Sequence, residues 1–278
     1  MVMHIIKRTF FGFAAAVALL LGAGTTAAQA QENTWEVGIQ TWTLRKLNFD
    51  QVVQFCVEHK IKDLQVIGSH IDPMGTPEET KRKLDILQKN GLRAYTFGVA
   101  GTSLDKAQNR KLFEFAKAIG AKLIVVEPPD FRILDQLEEL VKEFDIRIAI
   151  HNHGIKSLYG NPLVVRTVLK GRDPRMGVCL DIGWVTAAGF DAAKVFNEYE
   201  GRVFDLHLKD KRVEKTAGDD VAFDTNIGEG QANYKGLFAA LKQAKFQGIL
   251  AIETDGENFA TKPGEFVDKA KQYVDANR

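Results

Sequence analysis

Cysteine is scarce in this sequence, with only Cys56 and Cys179 among 278 residues. Two cysteines cannot form the framework of several disulfides that stabilises small secreted domains. Both lie in apolar runs, QFCVEH and GVCLDI. This placement predicts two buried free thiols in separate elements. A single disulfide between them is the alternative in an oxidising compartment.

An excess of charge of either sign is also missing. The chain has 37 basic and 36 acidic residues, which gives a formal net charge of +1 at pH 7. Proteins that bind nucleic acid usually carry a strongly basic face. We therefore expect no nucleic acid partner.

No apolar run reaches the roughly 20 residues that span a bilayer. The run FFGFAAAVALLLGAG follows Lys7 and Arg8 and precedes the A-x-A pattern Ala28-Gln29-Ala30. This order predicts a secretory signal peptide over residues 1–30, with an uncleaved membrane anchor as the alternative. We expect a periplasmic or secreted protein without a stable membrane anchor.

Linkers, low-complexity tracts and long charge runs are absent after residue 31, so residues 31–278 are predicted to form one domain. Strand-like runs alternate there with helical patterns, which indicates a parallel sheet. A glycine-rich phosphate turn after the first strand is missing, and this favours a closed barrel over an open doubly wound sheet. The sequence therefore predicts an α/β fold, a (β/α)8 TIM barrel, with strands at 35–44, 62–68, 92–100, 122–128, 146–153, 176–183, 203–210 and 248–254.

Between the seventh strand and the following helix lies a long polar stretch, residues 211–231, which is predicted to be a loop. It ends with Gly228-Glu229-Gly230, which we interpret as a turn.

Ionisable residues lie inside the strand VFDLHLKD. Asp205, His207 and Lys209 are two residues apart and therefore point to one face of the strand. Burying three such groups is costly unless something compensates for their charge.

Polar residues also end the later strands at nearly regular intervals. These residues are Glu127, His153, Asp181, His207 and Glu253. Catalytic residues of a TIM barrel gather at the C-terminal ends of the strands, so the five should converge. Carboxylates that share one buried place repel each other, and a divalent cation resolves this. Oxygen-rich ligands with one imidazole favour Mn²⁺, with Mg²⁺, Co²⁺ or Zn²⁺ as alternatives.

The pieces IVVEPP, IAIHNHG, GVCLDIG, FDLHLKD and LAIET, with the Gly-Glu-Gly turn, resemble the xylose isomerase-like TIM barrels, a family of sugar phosphate isomerases and epimerases. The resemblance covers nearly all of residues 31–278. It implies that one divalent metal is bound by Glu127, Asp181, His207 and Glu253. It also implies that Glu127 and Glu253 act as the acid and base pair.

The resemblance implies a metal-dependent sugar isomerase or epimerase that removes a proton next to a carbonyl through an enediolate. One alternative is an exported lyase or hydratase that acts on 3-keto-glycosides with the same metal site. Another is a noncatalytic carbohydrate-binding protein, against which the two retained glutamates argue. The endonuclease branch of the superfamily needs more metal-ligating histidines and a basic face. This sequence has neither, which argues against that branch.

Six residues are predicted to contact a small carbohydrate substrate. Where the family often has Asp-Thr-Gly-His after strand six, this chain has Trp184 in place of the histidine. The six predicted substrate contacts are His153, Lys209, Trp184, Gln40, Trp42 and His70.

His151 shares a face with His153 but lies deeper in the barrel, and we expect it to be a core histidine whose ring nitrogens are hydrogen-bonded. A homo-oligomer is left open.

Overall fold

The computed structural model describes residues 35–216, 218 and 220–278. The predicted signal peptide lies outside these residues. In this part of the chain, no helix is both long enough and apolar enough to cross a membrane.

The strands in the described part of the chain are β1 to β10: Glu36–Gln40, Asp63–Val66, Arg93–Ala100, Leu123–Val126, Arg147–His151, Met176–Asp181, Val203–Leu208, Asp210–Glu214, Val221–Thr225 and Ile249–Ile252. The α-helices of the same residues are α1 to α10: Phe49–Glu58, Pro77–Lys89, Lys106–Ala118, Ile133–Phe144, Pro162–Leu169, Ile182–Ala187, Ala192–Glu198, Tyr234–Gln243, Glu257–Thr261 and Pro263–Asn277. A 3₁₀ helix spans Thr41–Leu44.

A closed parallel barrel is built from β1 to β7 and β10, in the order β1-β10-β7-β6-β5-β4-β3-β2. The barrel closes where β1 pairs with both β10 and β2. The predicted (β/α)8 TIM barrel is therefore confirmed. Each predicted strand contains an observed one, and two of them, β1 and β6, end earlier because a helix follows at once. After β6, for example, the side chain of Asp181 accepts a hydrogen bond from the Trp184 N–H and caps α6.

The helices pack their apolar faces against the outside of the barrel. Helix α4 buries Leu134, Leu137 and Val141, which recur on one helical face. The two cysteines lie in α1 and β6 as buried free thiols, so that prediction is confirmed.

The stretch predicted to be a polar loop, residues 211–231, contains strand structure, and that prediction was wrong. Strands β8 and β9 form an antiparallel hairpin, with Lys211 opposite Asp224. The apolar pattern missed it because the pair that faces inward is ionic and buried, with side chains 2 % exposed.

The Gly228-Glu229-Gly230 segment is a turn, as predicted, and it wraps around the carboxylate of Asp210. The N–H groups of Gly228 and Gly230 donate to Asp210 Oδ2 at 2.9 Å, and the Ala232 N–H donates to Oδ1 at 3.1 Å. The first residue of the hairpin thereby fixes the chain that leads into α8.

We expect Asp210→Ala to lower the free energy of unfolding by on the order of 3 kcal/mol, because three backbone N–H groups lose their acceptor. Asp210→Asn keeps one acceptor oxygen and should lose less. Urea unfolding followed by circular dichroism measures both. Equal stability of Asp210→Ala and the natural protein would show that water replaces the carboxylate.

Candidate active site

Four ionisable side chains meet at the C-terminal end of the barrel. His151 ends β5, Asp181 ends β6, His207 lies on β7 and Glu253 follows β10. One ligand atom from each lies within 4.8 Å of the others, and all four residues are buried. We call these four residues the quartet. This end of the strands is where TIM barrel active sites form.

The atoms of the quartet point at one another without forming hydrogen bonds. His207 Nδ1 lies 2.7 Å from Glu253 Oε2 and 3.8 Å from Asp181 Oδ2, and His151 Nε2 lies 3.5 Å from the same Asp181 oxygen. None of these four atoms has a hydrogen-bond partner among the described residues. The two carboxylate oxygens lie near the ammonium group of Lys209, but the two imidazole nitrogens that face them have no hydrogen-bond partner among the described residues, so the common direction of the four atoms indicates a candidate cation position.

The donor chemistry of the quartet fits a divalent metal. Two imidazole nitrogens and two carboxylate oxygens are a ligand set that binds first-row transition ions. The second imidazole moves the set away from Mg²⁺, which prefers oxygen ligands alone.

A buried lysine lies beside the quartet. Lys209 is 1 % exposed, and its Nζ lies 3.0 Å from Asp181 Oδ2, 3.2 Å from Glu253 Oε2 and 2.9 Å from Asp255 Oδ2. Burial alone would lower the pKa of Lys209, but these carboxylates hold its pKa well above the usual value. A Cβ on Gly183 would lie 2.7 Å from Lys209 Cγ, so only glycine leaves room for this side chain.

Two carboxylates of the quartet have lowered pKa values. Burial would raise the pKa of Asp181, but Lys209 and the neighbouring histidines hold that pKa well below its usual range. Burial opposes ionisation of Glu253 as well, and the charges of His207 and Lys209 lower its pKa to about 2.

The hairpin adds a second ion pair to the same layer. Asp224 accepts hydrogen bonds from Thr254 Oγ1 at 2.7 Å and from the Asp255 N–H at 2.6 Å, and it pairs with Lys211. Asp224 thereby fixes the chain directly after Glu253. The sequence carried no signal for this contact, because it depends on the register of a hairpin that the apolar pattern did not reveal.

The layer is negative overall. The four carboxylates of Asp181, Glu253, Asp224 and Asp255 face the two ammonium groups of Lys209 and Lys211. If both imidazoles are neutral, two negative charges remain, and one divalent cation would neutralise them.

A carboxylate and an imidazole form a pair at the rim of the quartet. Glu127, after β4, hydrogen bonds through Oε2 to Nδ1 of His153 and lies 3.6 Å from Nδ1 of His151. Both are partly exposed, with side chains 21 % and 42 % accessible. Burial would raise the pKa of Glu127, but the two imidazoles lower it to about 2.

Three of the four ligands implied by the resemblance, Asp181, His207 and Glu253, are brought together. Glu127 lies on the far side of His151. The expectation that His151 is a satisfied core histidine was wrong. It is 1 % exposed, and neither ring nitrogen has a hydrogen-bond partner in the described part of the chain. The two-residue spacing of His151 and His153 on one strand face was the sequence signal that His151 also points toward the site.

Among the predicted substrate contacts, His153, Lys209 and Trp184 border the quartet. The Trp184 ring lies 5.9 Å from the His153 ring, and Lys211 Nζ lies 3.8 Å above Trp184.

The other predicted contacts have different neighbours. Trp42 is 42 % exposed beneath the guanidinium of Arg45. His70 is buried, with Nε2 3.1 Å from the Leu47 carbonyl. Gln40 is buried inside the barrel, where it contacts Gln65.

Comparison with known proteins agrees with this architecture. The family described as xylose isomerase-like TIM barrel matches residues 17–276. An inosose dehydratase of Lacticaseibacillus casei is 24 % identical over 200 residues, which cover 59 % of this chain and 67 % of that protein.

Two solved structures share the fold. An uncharacterised protein of Parabacteroides distasonis is 27 % identical, with a TM-score of 0.67, and the match covers 87 % of this chain and 98 % of that one. A protein named IOLI, solved with a bound zinc atom, is 16 % identical with a TM-score of 0.67, covering 86 % and 96 % of the two chains.

Proposed function

Because the chain belongs to the xylose isomerase-like TIM barrel family, we propose that it is a metal-dependent lyase that removes water or an alcohol from a polyhydroxylated ketone. The family includes enzymes that act on small-molecule sugars. The observation that carries the proposal is one accessible general base, the His153 imidazole with its hydrogen-bonded partner Glu127, together with a buried ammonium group, Lys209. Elimination next to a carbonyl needs one base and one acid.

An epimerase instead needs two bases on opposite faces of one carbon. Glu253, the second base that the resemblance implies, lies within the quartet, 2.7 Å from His207 Nδ1 and 3.2 Å from Lys209 Nζ. We propose Glu253 as a metal ligand. The relatives named inosose dehydratase support elimination over isomerisation.

A divalent metal held by His151, Asp181, His207 and Glu253 would supply a Lewis acid for the carbonyl oxygen. The identity we propose is Mn²⁺, Co²⁺ or Zn²⁺, because the quartet has two imidazoles. Glu127 holds the Nδ1 proton of His153, so Nε2 is the nitrogen that takes the proton from the α-carbon. The C–H electron pair becomes the new C=C bond, the β C–O bond breaks, and Lys209 Nζ protonates the departing oxygen.

The reaction class can be tested with the metal-loaded protein in D₂O. The substrates are cyclic polyhydroxylated ketones, 3-keto-glycosides and open-chain ketoses. We expect an enone absorbance with release of water or alcohol. Deuterium at the α-carbon of an isomerised sugar, without elimination, would instead establish the isomerase or epimerase. Bound metal with neither product would favour a noncatalytic carbohydrate-binding protein.

Lys209→Met should lower kcat by about 100-fold or more, because the departing oxygen loses its proton donor. Metal affinity should not weaken, since the ammonium group competes for the oxygens of Asp181 and Glu253. Metal content and steady-state kinetics measure the two effects. Lys81→Met, which removes an exposed lysine paired with Asp85, is the matched control. Loss of metal with unchanged turnover per bound metal would make Lys209 structural.

We also propose export to the periplasm or medium, from the sequence pattern of residues 1–30 alone. An exported enzyme meets unphosphorylated glycosides and ketones, which agrees with the proposed substrate class. Cell fractionation of the tagged full chain tests this, and retention of the uncut chain in the cytoplasm would contradict it.

A further inference from the structure

The side-chain amide of Gln40 has only one orientation. Its Oε1 accepts a hydrogen bond from the Trp42 N–H at 3.1 Å, and its Nε2 donates to the Gly98 carbonyl at 2.8 Å. A backbone N–H can only donate and a carbonyl can only accept. The oxygen and nitrogen of Gln40 are therefore assigned by two backbone groups.

This orientation passes to Gln65 in the neighbouring strand. The second N–H of Gln40 points to Gln65 at 2.9 Å, so the facing atom of Gln65 must be its oxygen, Oε1. The Nε2 group of Gln65 has no hydrogen-bond partner among the described residues. The orientation of the Gln65 amide is therefore set by its hydrogen bond with Gln40 and not by a partner of Gln65 Nε2.

The same oxygen determines the tautomer of His207. Gln65 Oε1 lies 2.5 Å from His207 Nε2, and an oxygen that already accepts one hydrogen bond can accept another but cannot donate. His207 Nε2 must carry the proton. The lone pair of the neutral ring is then on Nδ1, the atom directed at Glu253 and Asp181.

We propose that Gln65 and Gln40 are positioning residues that fix His207 as an Nδ1 ligand of a divalent metal. This rests on the metal site of the proposed function. In the neutral ring this lone pair faces a carboxylate oxygen 2.7 Å away, and a metal ion held by both atoms would make that contact favourable by displacing the proton that His207 otherwise carries at Nδ1. Partners of the second ring nitrogen orient metal-bound histidines, and their loss typically weakens metal affinity by about 10–100-fold.

Bulk water does not reach the hydrogen bonds that join Gln40, Gln65 and His207, so it cannot replace one of them. Gln40 is 1 % exposed, and Gln65 and His207 are 0 % exposed. The Gly98 carbonyl, which accepts a hydrogen bond from Gln40, belongs to a part of β3 that packs closely against β4. A Cβ at Gly98, where φ is +148°, would lie 2.4 Å from the Val125 carbonyl oxygen.

Two substitutions separate the acceptor from the bulk of the side chain. Gln65→Met keeps an unbranched chain but removes the oxygen, whereas Gln65→Glu keeps an acceptor. We expect Gln65→Met to raise the Kd for Zn²⁺ by about 10–100-fold, and Gln65→Glu to stay within a few fold of the natural protein. Chelator competition with the full chain measures Kd. Gln136→Met, in α4, is the matched control.

The second readout is the tautomer itself. In the Zn²⁺-loaded protein labelled with ¹⁵N-histidine, long-range ¹H–¹⁵N spectra should show His207 protonated at Nε2 and metal-bound at Nδ1. Protonation at Nδ1, or an unchanged Kd and tautomer in Gln65→Met, would overturn the inference. Failure of the natural protein to bind Zn²⁺, Co²⁺ or Mn²⁺ would overturn the proposed metal site as well.

Discussion

Glutamine in place of Glu127 should leave the metal bound and lower turnover by about 10²–10⁴-fold, because His153, the proposed general base, loses the carboxylate that orients its ring and raises its basicity. The carboxylate contacts His153 and lies 3.6 Å from His151, outside the quartet that would hold the cation. Removing its charge therefore affects proton transfer but not coordination. Metal content and kcat, measured on the same preparation, give the two values.

Glu139→Gln is the control for that experiment, because it removes an exposed glutamate whose nearest cation is Lys106 at 3.4 Å. It should change neither metal content nor kcat. Loss of the metal from Glu127→Gln would show that Glu127 is a ligand, as the family resemblance implied.

His151→Ala should have the opposite effect, with metal affinity reduced by at least about 100-fold. Loss of a residue that merely supports a ligand already costs about 10–100-fold, and His151 is proposed to be a ligand itself. Added metal should raise the melting temperature of the natural protein, since binding to the folded state stabilises it, but not that of the variant.

His59→Ala is the matched substitution, since the His59 ring lies at the end of α1, 2.8 Å from Asp268, away from the quartet. It should keep both the metal affinity and the metal-dependent rise in melting temperature. An unchanged affinity in His151→Ala would mean that Glu127 turns inward and completes the site.

Local pattern was sufficient to predict the barrel. Each of its strands is a short apolar run followed by a helical pattern, and parallel strands in such an alternation close in only a few ways. Local pattern did not determine the strand ends, because Asp181 serves both as the last residue of β6 and as the cap of α6.

The meeting of the site's side chains was predicted in outline, and the ligand set that we propose differs by one residue from the set that the resemblance implied. Spacing placed Asp181, His207 and Glu253 at one height, and the structure brings them together. The choice between Glu127 and His151 depends on depth in the barrel, which a regular spacing of strand ends does not encode. Gln65 was overlooked although it is a polar residue in the buried strand DLQV.

The hairpin shows a different limit. Lys211 and Asp224 are 13 residues apart and pair only when β8 and β9 are in register. Their burial is paid for by each other, so neither strand carries the apolar signature on which the sequence prediction relied.

The quartet is assembled from β5, β6, β7 and the residue after β10, so its four donors are spread over residues 151–253. A growing chain cannot present this site until its last barrel strand has emerged and paired with β1. Capture of the proposed metal would therefore be a late event in the biogenesis of this protein and would report completion of the ring. Because binding energy at such a site is folding energy, scarcity of the metal should leave nascent chains more open to proteolysis than mature ones.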